Sequence, residues 1–359
     1  MASIRGGLVG YGFIASRGHA PVYARRQDVD IVAIADTCAP RLTIAREELK
    51  DVRLYRSAEE LIAREADNLD FIDIATPPVF HAAIAAQAIE RGLHVLCEKP
   101  LTASSDDARR LIGLAKKNRR VLFPCHNYRH APVVKTVREV LDSGRIGKVT
   151  AASLSTFRNS HAKGVREWHQ DWRRELQYSG GGIGMDHGSH TFYLCFDWLG
   201  AYPTAISAKA TSRTSDKYDT EDNLTATLTF PTGTANVSLS WTSGIRKVVY
   251  VVQGERGAVM VDDDDLQIVL QETKGNSVTD RQSMSWATER RSIASCWIDA
   301  SHTQWFDSLF SDFRRAIVCE DFAGRDAHDA LKCIQVIEAA YRSAQAHCLE
   351  VPIGEPDQR

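Results

Sequence analysis

Asp186 and His190 stand four residues apart, after the glycine run Gly180–Gly182 and in a stretch predicted to be helical. On a helix, that spacing places both side chains on one face. A histidine, with an ordinary pKa of about 6.5, is suited to take a proton from a hydroxyl group near neutral pH. The carboxylate would bias its tautomer and charge, although the spacing alone also fits a surface pair. His187 lies about 100° away around the helix, so we expect it to pack rather than to join a zinc site.

Lys99 directly follows an apolar strand, in the segment Leu96–Pro100. Its ammonium group could hold a substrate hydroxyl and stabilise the negative charge that develops on that oxygen. A lysine that reaches solvent from a loop is the alternative. The segment Ala75–His81, with sequence ATPPVFH, also follows an apolar strand. Both segments should therefore lie at the carboxyl edge of a sheet, where open α/β sheets bind ligands.

The segment Gly10–Ala15 has the pattern GxGxxA between a strand and a helix. Gly10 permits a tight turn, Gly12 lets the backbone approach a pyrophosphate, and the helix N-terminus supplies N–H donors. Asp36 ends the second strand about 20 residues on, where a carboxylate binds ribose hydroxyls. A carboxylate there repels a 2′-phosphate, and no basic residue directly follows it, although Arg41 is close in the sequence. We therefore predict NAD rather than NADP as the cofactor.

These residues need a scaffold of alternating strands and helices, which the first third of the chain supplies. The predicted strands are Gly7–Gly10, Ile31–Ala35, Phe71–Ala75, His94–Cys97 and Val121–Pro124. The predicted helices are Ile14–Arg25, Pro40–Leu49, Ala58–Arg64, His81–Arg91 and Ser104–Lys117. Alternation at this spacing indicates right-handed crossovers and a parallel sheet.

The pattern changes after about Asn127. The predicted elements there are a helix at Pro132–Ser143, a strand at Lys148–Phe157, a helix near Asp186–Leu199, antiparallel sheet from Ala205 to Leu270, and helices at Trp305–Val318 and Ala327–Ala346. Turn clusters separate the short strands of the sheet. The four acids Asp262–Asp265 are interpreted as a solvated turn rather than as a cation site.

In this order and at these separations, the motifs resemble those of the Gfo/Idh/MocA (glucose–fructose oxidoreductase, inositol dehydrogenase) oxidoreductases over nearly the whole chain. The resemblance rests on Gly10–Ala15, Thr76–His81, Glu98–Pro100 and Gly180–His190. It implies an NAD(P)-binding Rossmann domain with a doubly wound parallel sheet at residues 1–125. It also implies a substrate-binding α/β domain at residues 126–359, with a large, mostly antiparallel open sheet and with C-terminal helices as candidates to pack back on the first domain. The sheet would join copies into a homodimer or homotetramer, and the family's catalytic set maps onto Lys99, Asp186 and His190.

The resemblance also assigns binding residues. His126–Pro132 resembles the family's segment between the domains, usually Asn-x-Arg-Phe-x-Pro, with His130 in place of the aromatic residue. Trp172 and Arg173 resemble a pair near the nicotinamide, with packing as the alternative role for Trp172. The candidate cofactor-binding residues are Gly10, Gly12, Phe13, Ile14, Asp36, Arg41, Thr76, Pro77, His81, Glu98, Lys99, Asn127, Trp172 and Arg173. The candidate substrate-binding residues are Lys99, His126, Arg129, Arg158, His169, Asp186 and His190, with His161 and Trp168 as further lining candidates. Of these, Arg158 could hold an anionic group.

The bulk composition narrows the class of protein. The net charge is −2, with no long run of one sign, so nothing points to a nucleic-acid or membrane-surface partner. Without a membrane-length apolar run or a secretory signal, we expect a cytoplasmic protein. Eight scattered cysteines without a CxxC spacing predict reduced thiols rather than disulfides or a metal site.

We therefore predict reversible hydride transfer between NAD and a secondary alcohol or ketone of a sugar, an inositol or a sugar derivative, free or nucleotide-linked. One alternative is an NAD-dependent glycosidase-type enzyme that uses transient oxidation. Another is a dinucleotide-sensing regulatory protein with a decayed site, against which the intact Lys99, Asp186 and His190 set argues.

Overall fold

The structure, a computed structural model, describes residues 3–214, 217–273, 284–295, 297 and 299–354. One predicted free thiol, Cys296, lies outside these ranges. The other seven cysteines are free, and five of them are buried. Among the described residues, no helix combines the length and apolar character needed to cross a membrane.

A parallel sheet forms the N-terminal part of the chain, as predicted, but it has six strands where five were predicted. Its strands are β1 (Ile4–Val9), β2 (Val29–Ala35), β3 (Arg53–Tyr55), β4 (Phe71–Ile74), β5 (His94–Cys97) and β6 (Leu122–Pro124). Their order in the sheet is β3-β2-β1-β4-β5-β6. The winding therefore reverses between β1 and β4, and a crevice at their carboxyl ends is where such sheets bind ligands.

Five helices connect these strands: α1 (Ala20–Tyr23), α2 (Ala39–Glu48), α3 (Ala58–Glu65), α4 (Pro78–Glu90) and α5 (Ser105–Asn118). Ser104 caps the N-terminus of α5, where its Oγ accepts a hydrogen bond from Asp107 N at 3.2 Å. The predicted helix at Ile14–Arg25 is present, and it includes a π-helical turn at Ala15–His19 directly before the four residues of α1. Pro21 has no N–H with which to continue a regular ladder at this point.

A second sheet of nine strands follows. Its strands are β7 (Val149–Phe157), β8 (Ala205–Thr211), β9 (Asn223–Phe230), β10 (Gly233–Ser240), β11 (Lys247–Gly254), β12 (Gly257–Asp262), β13 (Asp265–Thr273), β14 (Met284–Ser292) and β15 (Val351–Pro352). The order is β14-β13-β12-β11-β7-β10-β9-β8-β15, and all pairs are antiparallel except β7 with β10. This confirms the predicted large, mostly antiparallel sheet. The acidic run is the turn between β12 and β13.

The remaining helices are α6 (Pro132–Asp142), α7 (Leu176–Ser179), α8 (Ser189–Leu199), α9 (Thr303–Val318) and α10 (Arg325–Gln345). A π-helical turn at Gly184–Gly188 leads directly into α8, which is almost wholly buried against the second sheet. Helix α9 instead packs on the parallel sheet: Phe310 and Phe313 lie in one core with Phe71 of β4. Each buried phenylalanine contributes of the order of 2 kcal/mol through the area it removes from water. Apolar packing thus fastens a C-terminal helix to the N-terminal sheet and helps to hold the cleft between the two sheets.

Candidate active site

Two adjoining cavities open beside the carboxyl ends of β1 and β4. The first cavity has a volume of about 400 Å³ and includes the glycine turn, and the second has a volume of about 500 Å³ and includes Lys99. Six residues line both cavities: Phe13, Ile14, Ala75, Thr76, Trp172 and Arg173. A molecule that fills the first cavity can therefore reach a molecule in the second.

The glycine turn has the conformation that its sequence predicts. Gly10 has φ +88°, and a Cβ atom there would lie 2.8 Å from the carbonyl oxygen of Ala75. At Gly12, by contrast, no heavy atom lies within 4 Å of the position of a Cβ. The turn thus keeps an open space over backbone N–H groups, which suits the pyrophosphate of a dinucleotide.

Asp36 stands at the end of β2 and lines the first cavity. Its Oδ2 accepts a hydrogen bond from Tyr11 N at 2.6 Å, and its Oδ1 accepts one from Cys38 N at 2.7 Å. Burial raises the pKa of Asp36 although these N–H groups oppose the shift. Each carboxylate oxygen keeps a lone pair for a further donor such as a ribose hydroxyl.

Arg41 is buried at the same end of the first cavity. Its Nε donates to the carbonyl oxygen of Tyr11 at 2.8 Å, and its Nη1 lies 3.7 Å from Oε2 of Glu167. The guanidinium group of Arg41 therefore has protein partners of its own and is not an unpaired cation for a 2′-phosphate.

A loop from the second part of the chain covers the first cavity. Gly164, Val165 and Trp168 line it, and Cys38 Sγ donates to the carbonyl oxygen of Glu167 at 3.3 Å. Trp168 was predicted to line a substrate pocket, but it lies in the first cavity because the loop folds back over β2. The remaining lining is largely apolar, which suits an adenine ring: Ala58, Pro77, Val79, Phe80 and Ile84.

His81 is fully buried and lines neither cavity. Its Nδ1 lies 2.9 Å from the carbonyl oxygen of Pro100, and its Nε2 lies 2.7 Å from that of Thr76. Burial lowers the pKa of His81. The ring joins the segments after β4 and β5, so it supports the wall of the cleft from behind.

A buried ion-pair cluster lies under Lys99. His19 Nδ1 is 2.8 Å from Oδ2 of Asp73, and its Nε2 is 3.2 Å from Oε1 of Glu98. Burial alone would lower the pKa of His19, but the two carboxylates raise it to about 9. His19, Glu98 and Cys125 place candidate metal-ligand atoms within 4.8 Å of one another. A protonated imidazole that donates to two carboxylates has no lone pair for a metal, so we interpret the cluster as structural.

Lys99 and Asp186 face each other across the second cavity. Lys99 Nζ donates to Oδ1 of Asp186 at 2.7 Å and to its carbonyl oxygen at 3.0 Å. Burial would raise the pKa of Asp186, but Lys99, His187 and Arg173 hold it well below its usual range. The carboxylate is therefore ionised and orients the ammonium group.

His190 lines the same cavity, in the first turn of α8. Its ring stacks on Tyr128, with centroids 3.9 Å apart, and its Nδ1 lies 3.1 Å from the hydroxyl oxygen of Tyr193. Burial, together with the charge of Lys99, holds the pKa of His190 well below 6.5. The imidazole is neutral, and its Nε2 has no hydrogen-bond partner among the described residues.

The contacts of His187 and His190 differ from those predicted. We expected Asp186 and His190 to pair and His187 to pack elsewhere. Instead His187 lines the second cavity, with Nδ1 3.2 Å from Oδ2 of Asp186, and the carboxylate contacts Lys99 rather than His190. The physical reason is the π-helical turn at Gly184–Gly188, where the regular 100° per residue does not apply.

Three predicted substrate-binding residues line neither cavity. Arg129 is surrounded by three carboxylates, those of Asp197, Asp326 and Asp329. His126 is buried beside Arg129, and His169 contacts the hydroxyl of Tyr178 outside the cleft. These three residues stabilise the fold around the site, and they do not form the surface of either cavity. Asn127, by contrast, lines the second cavity, and its Oδ1 is buried without a partner among the described residues, like Oγ1 of Thr76.

Sequence reasoning missed several residues of the second cavity. Tyr128 lies within the segment His126–Pro132 but was not predicted to be a site residue. The signal that could have identified it is an aromatic residue next to Asn127. Arg246 precedes β11, and His302 precedes α9. No motif marks either residue, since the fold alone brings them to the cleft.

Comparisons with known proteins agree with the fold. Residues 4–126 match the family described as "Oxidoreductase family, NAD-binding Rossmann fold", and residues 134–260 match the GFO/IDH/MocA C-terminal domain. The chain is 28% identical to a D-glucoside 3-dehydrogenase from Escherichia coli over 58% of this chain and 57% of that protein. It is 27% identical to a D-apiose dehydrogenase from Paraburkholderia graminis over 95% and 88% of the two chains.

A solved structure has the same fold. The crystal structure of GenD2, from gentamicin A biosynthesis and in complex with NAD, superposes with a TM-score of 0.81 at 24% identity, over 99% of this chain and 97% of the other. The two family models together cover more than half of the chain. The chain is a member of the Gfo/Idh/MocA family of NAD-binding oxidoreductases.

Proposed function

We propose that the protein catalyses reversible hydride transfer between NAD and a secondary alcohol carbon of a sugar, an inositol or a related polyol bound in the second cavity. One observation carries the proposal. The Lys99–Asp186 ion pair, at 2.7 Å, and the neutral imidazole of His190 line the cavity that adjoins the NAD-binding turn. A cation that holds an oxygen atom and a base that can take its proton are what alcohol oxidation requires.

The residues of the first cavity fit NAD. The open space at Gly12 would take the pyrophosphate, Asp36 would accept the ribose hydroxyls, and the apolar wall with Pro77 and Phe80 would take the adenine. The nicotinamide ring supplies the carbon that accepts or returns the hydride. Phe13, Ile14, Thr76, Trp172 and Arg173 line both cavities and would hold that ring, and the unpaired oxygens of Thr76 and Asn127 are available to its carboxamide.

The proton would pass to Nε2 of His190. This requires the tautomer in which Nδ1 carries the hydrogen and donates it to the hydroxyl oxygen of Tyr193. The same hydroxyl accepts a hydrogen bond from Tyr128 N at 3.1 Å, which uses its other lone pair. In that tautomer Nε2 of His190 is free to accept the proton.

Lys99 would hydrogen-bond the reacting oxygen and stabilise its negative charge as the hydroxyl proton moves to His190. Asp186 would orient the ammonium group. The C–H bond of the carbon that bears this oxygen would break at the same time, with bound NAD as the hydride acceptor, so that the alcohol would become a ketone. In the reverse direction, His190 returns the proton and Lys99 polarises the carbonyl.

The relatives' names support a sugar as the substrate class, since two are called D-glucoside 3-dehydrogenase and D-apiose dehydrogenase. A panel of inositols, aldoses, ketosugars and sugar acids tests the proposal, with NADH absorbance as the readout and NAD and NADP supplied in parallel. We expect NADH to form with at least one member, and faster with NAD than with NADP. Absence of hydride transfer across the panel in both directions would remove the proposal. Free sugar released from a glycoside without net NADH would favour the glycosidase-type alternative instead.

A further inference from the structure

The second cavity contains a buried arginine without a counter-ion. The Arg158 side chain, at the end of β7, is 7% exposed and lines this cavity. Its Nη1 donates to the carbonyl oxygens of Phe157 at 2.8 Å and Lys247 at 3.3 Å. Among the described residues, no carboxylate forms an ion pair with it. The protein thus anchors one nitrogen of the guanidinium group and leaves the positive charge uncompensated.

This arrangement is unusual within the molecule. The other arginines that are buried in the described part of the chain each lie within 3.7 Å of a carboxylate oxygen: Arg41, Arg174 and Arg314. Removing a charge from water is costly unless an opposite charge accompanies it. A ligand that brings a negative charge into the cavity would supply that compensation for Arg158.

A second arginine adds positive charge to the same cavity. Arg246 also lines the second cavity, is exposed to solvent, and is anchored through Nη2 to the carbonyl oxygen of Trp297. Partial burial of its guanidinium group, together with the nearby charge of Arg158, lowers the pKa of Arg246. Asp263 acts on Arg246 in the opposite sense, but its carboxylate is already bound by Val248 N at 2.8 Å and Lys247 Nζ at 3.3 Å.

The other cations of the cavity are not free in this way. Lys99 and Arg173 both lie close to Asp186, and Lys163 is paired with Asp171. The two carboxylates that line the cavity, Glu98 and Asp186, are likewise engaged. Among the described residues that line this cavity, Arg158 and Arg246 are therefore the cations without a carboxylate partner, and they can accept an anionic group. Both line the second cavity only, so the phosphates of the cofactor do not account for them.

The two arginines line the same cavity as Lys99, Asp186 and His190. His187 is near enough to both Asp186 and Arg158 for each to perturb its pKa, which burial lowers overall. His302, whose pKa burial lowers to about 4, is perturbed by both arginines, and it in turn perturbs His190. One small molecule can therefore meet the catalytic set and the arginines together.

We infer that Arg158 and Arg246 bind the anionic group, a carboxylate or a phosphate ester, of a sugar substrate whose hydroxyl carbon faces Lys99 and His190. Guanidinium groups recognise both anions through paired N–H donors. The inference extends the proposed function, and it rests on that function where it identifies the ligand as the substrate. It predicts that sugar acids or sugar phosphates are preferred over neutral sugars of the same size.

Calorimetric titration with saturating NAD tests this directly, with glucuronate, glucose 6-phosphate and glucose as the probes. We expect one of the two anions to bind at least about ten-fold more tightly than glucose, as a charged hydrogen-bonded contact provides. Which of the two anions wins distinguishes a carboxylate from a phosphate. Arg158→Gln and Arg246→Gln should each abolish most of that preference while glucose binding changes little. Arg246 is exposed, so its variant keeps the test valid if Arg158→Gln fails to fold.

Arg138→Gln is the matched control, since Arg138 pairs with Asp142 on α6 and lines neither cavity. Equal affinity for glucose and both anions, no binding of any probe, or an unchanged preference in Arg246→Gln would overturn the inference. NADH formation is recorded separately in the same samples. Anion-selective binding without any hydride transfer would leave the anion site standing and would remove the proposed function instead.

Discussion

The Nζ atom of Lys99 lies 2.7 Å from Oδ1 of Asp186, a residue 87 positions later in the chain. Lys99 lies two residues after the end of β5 of the parallel sheet, whereas Asp186 belongs to the π-helical turn before α8, which packs on the other sheet. The ion pair therefore joins the two halves of the cleft. It can form only when both sheets are in place, and it sets the position of the ammonium group towards any ligand in the second cavity.

Asp186→Asn keeps the shape of this contact and removes its charge. We expect turnover to fall by about 10- to 100-fold, because the ammonium group loses the partner that orients it. Affinity for NAD should change less than about two-fold, since Asp186 does not line the first cavity. Steady-state kinetics and a cofactor titration measure the two effects. An equal loss of NAD affinity would indicate a general structural role for Asp186.

The proposed role of His190 as the base predicts a pH dependence for sugar oxidation. Its pKa lies well below 6.5, because of burial and the charge of Lys99, and the base is active when neutral. Activity governed by this group is therefore full above that pKa and is lost only as the pH falls through it. We expect kcat/KM to stay level between pH 6.5 and 8, as a pH profile would show. An acid limb with its midpoint at or above pH 6.5 would argue against His190 as the base.

Cofactor choice should depend on Asp36. Asp36→Asn keeps a side-chain oxygen that can accept a hydrogen bond from a ribose hydroxyl, but it removes the charge that repels a 2′-phosphate. The ratio of kcat/KM with NAD to that with NADP should fall by about ten-fold or more. Unchanged discrimination would mean that the cover of the cavity by Glu167 and Trp168, rather than the charge of Asp36, excludes NADP.

The His19 cluster makes stability depend on pH. The pKa of His19 is about 9 in the folded protein against 6.5 ordinarily, so its contribution is complete below pH 6.5 and is lost as the pH rises through 9. At 1.36 kcal/mol per pKa unit, the loss is of the order of 3 kcal/mol. Urea unfolding at pH 6.5 and 9.5 should show this loss in the wild type and not in His19→Gln. The exposed His347→Gln is the control, and an equal pH response in His19→Gln and the wild type would refute the assignment.

Much of this architecture is predictable from the sequence because it depends on local patterns. The apolar strands β1, β2, β4, β5 and β6 and the glycine turn follow from residues adjacent in the chain, and so does the position of Asp36. Strand β3 was missed because Arg53–Tyr55 is short and only partly buried. Strands β14 and β15 lie outside the predicted sheet because one carries several charges and the other has two residues.

The errors in the site have a different cause, since they depend on partners distant in sequence. Arg129 looked like a substrate contact, but its carboxylates lie 68 to 200 residues away. Helical spacing indicated the face shared by Asp186 and His190, but it could not reveal the π-helical turn that brings His187 into the cavity. Arg246 and His302 carry no local signal, because only the packing of two sheets and α9 brings them beside Lys99.

We propose above all that Lys99 and His190 carry out the oxidation of a secondary alcohol beside the NAD site. The most direct measurement is NADH formation with the best substrate of the panel, for the wild type, Lys99→Ala and His190→Ala, alongside calorimetric titration of NAD. We predict that each variant loses about 10²- to 10⁴-fold in turnover, as expected for removal of a proton-transfer or charge-stabilising group, while binding NAD with wild-type affinity. Near-normal turnover in both variants would contradict the account.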